Sequence, residues 1–105
     1  MYTSFLQYDP RVVRSLKRSR VRVAILLYLN KIYPNMSYPA EIARNIGIDA
    51  TNVLGGLRGM GSRYNGSSSL VELGLVDKVD INGVSYYKLS KIGKQVVDVL
   101  ESSLF

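Results

Sequence analysis

The chain has 105 residues and 47% apolar content, enough for one compact core and too little for two. It contains no cysteine and no histidine, which excludes a disulfide framework, a thiol switch, an imidazole base and a zinc site of the usual nitrogen and sulfur type. Fourteen Lys/Arg against eight Asp/Glu leave a formal charge of +6, a balance that favours a polyanionic partner.

That charge is unevenly spread. Residues 1–63 hold ten Lys/Arg and three Asp/Glu, a balance of +7, while residues 64–105 hold four and five, a balance of −1. The longest clean apolar run, Val23 to Leu29, falls far short of the ~20 residues that span a bilayer. No charged, apolar and small-residue signal pattern opens the chain. The expectation is a soluble cytoplasmic protein without a membrane partner, associated with the nucleoid if its polyanion is DNA.

Met1 to Tyr8 has no clear period and is expected to form an arm, with Tyr2, Phe5, Leu6 and Tyr8 able to pack on a partner. Asp9-Pro10 reads as an N-cap followed by a proline in the first helical position, so a short helix should run through Val12, Val13 and Leu16. Its other face is basic. Arg11, Arg14, Lys17, Arg18, Arg20 and Arg22 follow one another without an acid, which suits a solvated face, phosphate contacts or, less well, a membrane surface. Ser19 is placed to cap a longer helix from Arg20 to about Tyr33. Apolar residues surround nearly its whole circumference, which makes it the expected central core helix, stopped by Pro34-Asn35.

The next stretch, Tyr38 to Met60, carries the most specific local signal. Pro39 and Glu41 suit a first helical turn, Ile42, Ala43 and Ile46 fall at helical spacing, and Gly47 can end the helix in the left-handed conformation. Asp49 then reads as the N-cap of a second helix, its carboxylate within reach of the backbone N–H near Asn52, with Val53, Leu57 and Met60 on the inner side. Two short helices joined by about four residues form the helix-turn-helix arrangement, whose second helix enters the DNA major groove. Any small helical core can contain such a pair, so the flanking charge weighs in the choice. Gly55, Gly56 and Gly59 make a poor helix former held by packing, or a smooth surface that a nucleic acid can approach closely.

After Met60 comes Gly61-Ser62-Arg63-Tyr64-Asn65-Gly66 and three serines, read as a loop or an irregular continuation of the helix. Leu75 to Asp80 and Val84 to Leu89 then read as strands joined by Asn82-Gly83, the strongest short signal for a type I′ hairpin. In that register Ile81 opposes Val84, Val79 opposes Tyr86 and Asp77 opposes Lys88, while Val76, Lys78, Tyr87 and Leu89 share the other face. Both faces are partly apolar, which leaves the buried one open. Ser90 is placed to cap a last helix whose stripe of Ile92, Val96, Val99 and Leu100, flanked by Val97 and Leu104, serves ordinary packing or a homodimer interface.

The order of these elements, with Glu41-Ile42-Ala43, Leu73-Gly74-Leu75-Val76 and Tyr87-Lys88-Leu89-Ser90 followed by Gly93, resembles the winged helix-turn-helix transcription regulators over about Arg20 to Leu100. The likeness is greatest to archaeal relatives of the MarR and ArsR groups. It implies an α+β fold, a winged helix-turn-helix domain with a two-stranded hairpin wing and a C-terminal helix. It also implies sequence-specific binding of double-stranded DNA, transcriptional regulation, a homodimer and no cofactor. The second helix would present Ala50, Thr51, Asn52, Gly55 and Arg58 to the groove, with Asn52 able to pair with adenine and Arg58 with guanine or phosphate. Arg44 and the wing residues Lys78 and Lys88 would hold the DNA backbone, and Arg14, Arg18 and Arg63 complete the expected DNA-binding set. In those regulators the recognition helix runs almost directly into the Leu-rich segment, whereas this chain interposes nine residues, and Asn82-Gly83 is a shorter, less basic wing tip. The absence of Cys and His also excludes the metal-sensing branch. Two further readings are a sequence-nonspecific architectural chromatin protein and a winged helix that binds protein. Catalysis finds no nucleophile–base pair or acidic cluster to support it.

Overall fold

The computed structural model describes residues 10–17, 19–59 and 69–104. In chain order the elements are α1 (Pro10–Lys17), α2 (Arg20–Ile32), α3 (Pro39–Ile46), α4 (Ala50–Arg58), β1 (Val76–Ile81), β2 (Val84–Leu89) and α5 (Lys91–Leu104). Helices and one antiparallel hairpin make this an α+β fold. Among the described residues, no helix is long and apolar enough to cross a membrane.

Helix α2 is the centre, touching the other four helices and β2. The Ser19 hydroxyl accepts a hydrogen bond from the Arg22 N–H at 3.1 Å, the expected cap. Ile25, Leu26 and Leu29 are fully buried, and each such side chain contributes about 1.5–3 kcal/mol by leaving water. From α1, Val12 and Leu16 close one side of this core. The first eight residues, Asp9, Arg18 and the side chains of Arg11 and Arg14 lie outside the described residues, and with them the expected arm and half of the basic run.

The hairpin forms in the expected register, Val76 opposite Leu89 through Ile81 opposite Val84. Asn82 and Gly83 take φ of 50° and 81°, the pair of positive values a type I′ turn requires. Val76, Tyr87 and Leu89 are buried, so their face is the one turned to the core. The opposite face leaves Ile81 and Val84 at 44% and 45% exposure.

On α5, Ser90 accepts from the Gly93 N–H at 2.9 Å and donates to the Gly74 carbonyl at 2.6 Å, so one hydroxyl caps the helix and fixes the chain entering β1. The buried stripe is Gly93, Val96, Val97 and Leu100, rotated from the expected one. Ile92 is 55% exposed and Leu100 only 6%. The reason is Gly93: a Cβ there would lie 2.0 Å from the Leu75 carbonyl oxygen, so the helix packs on its bare backbone side. The apolar surplus expected at this end is therefore absorbed by the chain's own core, apart from Ile92 and the half-buried Val99; the Leu104 side chain is outside the described residues.

Candidate nucleic-acid interface

Helices α3 and α4 form the expected pair. Tyr38 is the N-cap of α3 and Pro39 its first residue; Ile42 and Ala43 face inward; Gly47, with φ of 72°, ends the helix as the left-handed cap. Gly47 and Ile48 both donate to the Ala43 carbonyl, at 2.9 and 3.2 Å, which turns the chain sharply into α4. Asp49 occupies the N-cap position of α4, but its carboxylate makes no cap hydrogen bond, contrary to expectation. Its backbone carbonyl alone accepts from Val53, at 3.0 Å.

Val53, Gly56 and Leu57 face the core. Thr51, Asn52 and Arg58 are exposed, while Gly55 is half-buried on the same side and Ala50 leans on the core. Thr51, Gly55 and Arg58 follow at i, i+4 and i+7, a single outward line, and Asn52 lies about 100° around the axis from Thr51. Arg44 is exposed on the last turn of α3. The three glycines divide their work. Gly56 lies where α4 crosses α2, its missing Cβ 3.0 Å from Ile25 Cδ1; Gly59 takes φ of 87° at the C-cap; Gly55 sits on the outward line.

The helix ends at Arg58, and the chain is back against it by Ser69. The Leu70 and Val71 N–H groups donate to the Gly56 and Leu57 carbonyls, both at 3.0 Å, so the returning chain caps the carbonyl end of α4. Ser69 and Glu72 reciprocate: the Ser69 N–H donates to the Glu72 carboxylate at 2.8 Å, and the Glu72 N–H to the Ser69 hydroxyl at 3.2 Å. These bonds hold the Glu72 carboxyl below its usual pKa, with the Arg22 charge on α2 adding to them. Met60 and Arg63 themselves lie outside the described residues, as do the side chain of Arg14 and all of Arg18.

The hairpin is electrically balanced. Lys78 lies 3.9 Å from Asp80 on one face, and Lys88 stands opposite Asp77 in the strand register on the other. Lys94, on α5, is clipped to the end of α2 by Asn30 at 3.0 Å, with Asp98 at 3.2 Å and the Tyr33 ring 5.5 Å away. Its charge has a structural use.

Nothing local in the sequence singles out Tyr87 as a link, yet it joins the hairpin to both helices of the pair. Its backbone exchanges two hydrogen bonds with Ser37, just ahead of α3. Its side chain is fully buried, and its hydroxyl has no hydrogen-bond partner among the described residues. Burial raises the phenol pKa, and the Arg58 charge at the end of α4 works against that rise. Beside it, the Tyr38 and Tyr86 rings meet edge to face, 6.2 Å between centroids.

The family model described as EarA-like matches residues 12–100, nearly all of the described chain. The chain belongs to the EarA-like family. It is also 50% identical over 93 residues to an uncharacterized protein of Methanocaldococcus jannaschii, covering 89% of this chain and 84% of that one. No solved structure matches it. The EarA-like match takes in α2 to α4, the hairpin and most of α5, so the helix pair and the hairpin belong to one family unit.

Proposed function

We propose that this EarA-like protein is a winged helix-turn-helix DNA-binding protein that regulates transcription, in keeping with its resemblance to the MarR and ArsR groups. The observation that carries the reading is the outward face of α4: Thr51, Asn52, Gly55 and Arg58 lie opposite the buried Val53, Gly56 and Leu57. The sharp turn at Gly47 sets this helix against α3, as a recognition helix requires. The bridge from Ser37 to Tyr87 supplies the third, minimal strand beside the hairpin, a feature that suits a winged helix. In this reading Asn52 and Thr51, near the N-terminal end of α4, read base edges. Arg44 and Arg58 contact phosphate. Lys78 and Lys88, each set against an aspartate, add little net charge to the DNA-facing surface.

The test begins with selection of duplexes from a random pool, followed by titration of the enriched duplex and a scrambled one at a fixed salt. Asn52→Ala should weaken the enriched duplex by about 1–3 kcal/mol and the scrambled one much less. Arg58→Ala should weaken both alike and lower the log–log salt slope by about 0.9. Gly55 on the outward line favours a second reading, nonspecific architectural binding by close backbone approach. Equal loss on both duplexes for Asn52→Ala would choose it, and absence of any duplex binding would leave a protein-interaction module.

A further inference from the structure

Among the described residues, β1 has a neighbouring strand on one side only. Tyr87 spends both backbone groups on Ser37, at 2.9 and 2.7 Å, on the side of β2 away from β1. Its cross-strand neighbour Lys78 therefore belongs to a pair without mutual backbone bonds, and the Lys78 N–H and C=O point to the opposite edge. Asp80, two residues on, points the same way. Val76 does too, but Leu70 already accepts its N–H at 3.4 Å. Among the described residues, nothing covers the backbone groups of Lys78 and Asp80. An open edge is a template for another strand, and the charges that guard this one, Lys78 and Asp80, repel only in a register that sets like against like.

We propose that β1 pairs antiparallel with β1 of a second copy, on a two-fold axis through Val79. Three facts select this register. A two-fold perpendicular to the sheet preserves the faces, so only a register centred on a residue is allowed. Centring on Asp77, Lys78 or Asp80 would set each of these charges against its own copy, which is repulsive. Centring on Val79 sets Lys78 opposite Asp80 of the second copy and Asp80 opposite its Lys78, two cross-strand ion pairs. The same register makes each Lys78–Asp80 pair an exchange of outward N–H and C=O groups, so the ladder continues from one copy into the next.

Side chains agree with this arrangement. The Val79 side chains meet on the axis on the hairpin's outer face, where Ile81 and Val84 are exposed. Asp77 falls beside Ile81 of the second copy and retains Lys88 on its own neighbouring strand. Among the described residues, the Lys78 and Asp80 side chains, 39% and 63% exposed, are held by a 3.9 Å contact within one strand and by Ser85 on Asp80, which leaves exposed charge for a partner.

Three measurements test the proposal in the intact protein without DNA. Sedimentation at micromolar concentration should show a dimer. Lys78→Asp sets two aspartates against each other at both ends of the axis, and should raise the dissociation constant on the order of tenfold or more. The double variant Lys78→Asp with Asp80→Lys should restore it, since the register is complementary in either order. Because the natural chain has no cysteine, Val79→Cys gives a clean crosslink: non-bonded antiparallel partners lie about 4.5 Å apart at Cα, within the roughly 4.4–6.8 Å that a disulfide spans. Val79→Cys should form a disulfide dimer under mild oxidation, and Ile92→Cys, at a more exposed position on α5, should not. A monomer in sedimentation overturns the proposal. So does a double variant as weak as the single one, or crosslinking of Ile92→Cys as efficient as that of Val79→Cys.

Discussion

Ser37 and Tyr87 hydrogen-bond each other through both backbone groups, the Ser37 N–H to the Tyr87 carbonyl at 2.9 Å and the Tyr87 N–H to the Ser37 carbonyl at 2.7 Å. Ser37 is also buried, and its hydroxyl donates to the Glu41 carboxylate on α3. This single rung fixes the start of α3 against β2. Ser37→Pro removes the donor and leaves a buried carbonyl unpaired, an effect of about 1–3 kcal/mol, whereas Ser37→Ala keeps the rung and loses one side-chain bond. Urea unfolding should therefore rank Ser37→Pro well below Ser37→Ala. Equal stabilities would mean that the rung contributes nothing.

The side chain of Tyr87 supports a different expectation. Its hydroxyl is buried without a partner in hydrogen-bonding geometry, although the Arg58 charge acts on it. An unsatisfied buried hydroxyl costs about 1–3 kcal/mol, so Tyr87→Phe should leave the fold as stable as before or more so. A loss above about 1 kcal/mol in urea unfolding would show that Arg58 supplies a hydrogen bond in solution.

How far the fold is legible in the sequence depends on whether the deciding chemistry is local. The Ser19 and Ser90 caps, the Gly47 terminator and the Asn82-Gly83 turn depend on residues a few positions apart, and each forms as expected. The expected α5 stripe holds at Val96 and Leu100 but not at Ile92, because its first turn depends on a distant contact: the Leu75 carbonyl meets Gly93, and that approach turns Ile92 outward. The buried hairpin face is ambiguous for the same reason, since Tyr87 turns inward onto a core assembled from residues far away in sequence. Asp49 stands at the expected place without its side-chain bond. The Ser69-to-Glu72 pair, by contrast, has a legible capping-box spacing, masked by the serine-rich run in which it begins. As for the candidate site, the outward and inward sides of α4 follow from helical period alone, while Arg14, Arg18 and Arg63 fall where no side chain is described.

Gly93 permits a closer approach than any side chain could. With a Cβ, 2.0 Å from the Leu75 oxygen and 3.0 Å from its carbonyl carbon, the obstacle would be backbone and could not rotate away. Gly93→Ala should lose about 3 kcal/mol despite the better helix propensity of alanine, the upper end of what overpacking usually costs. Thermal unfolding that matches the natural protein would require α5 to pack elsewhere.

Glu72 gives the chain's return to α4 a pH dependence. Its carboxyl is held below the usual value of 4.5, first by the Ser69 backbone bond, then by the Ser69 hydroxyl and the Arg22 charge. A depressed carboxyl stabilises the fold above the unfolded value and loses that contribution as pH falls through the folded one. Glu72→Gln should therefore be less stable than the natural protein near neutral pH, and the gap should narrow as pH falls below 4.5. The side chain is exposed, so the difference should be small and reduced by salt. A gap that stays constant from neutral pH to about pH 3 would remove Glu72 as the titrating group.

Gly55 bears on folding and binding in opposite directions. It lies in the interior of α4 on the outward line with Thr51 and Arg58, and the buried contacts of that helix belong to Val53, Gly56 and Leu57. Glycine in a helix interior is about 1 kcal/mol worse than alanine, because it has more backbone freedom to lose on folding. Gly55→Ala should accordingly raise the unfolding free energy by about that amount if only the fold is concerned. Under the proposed function the added methyl group also stands between the half-buried Gly55 backbone and the DNA, so it should weaken duplex binding. Stability rising while affinity falls would be hard to explain by damage to the fold, and it would assign the glycine to the interface. Paired measurements of urea unfolding and duplex titration decide the matter: if stability rises and duplex affinity is unchanged, the DNA does not come close to the middle of α4, and base reading must be confined to Thr51 and Asn52 at its N-terminal end.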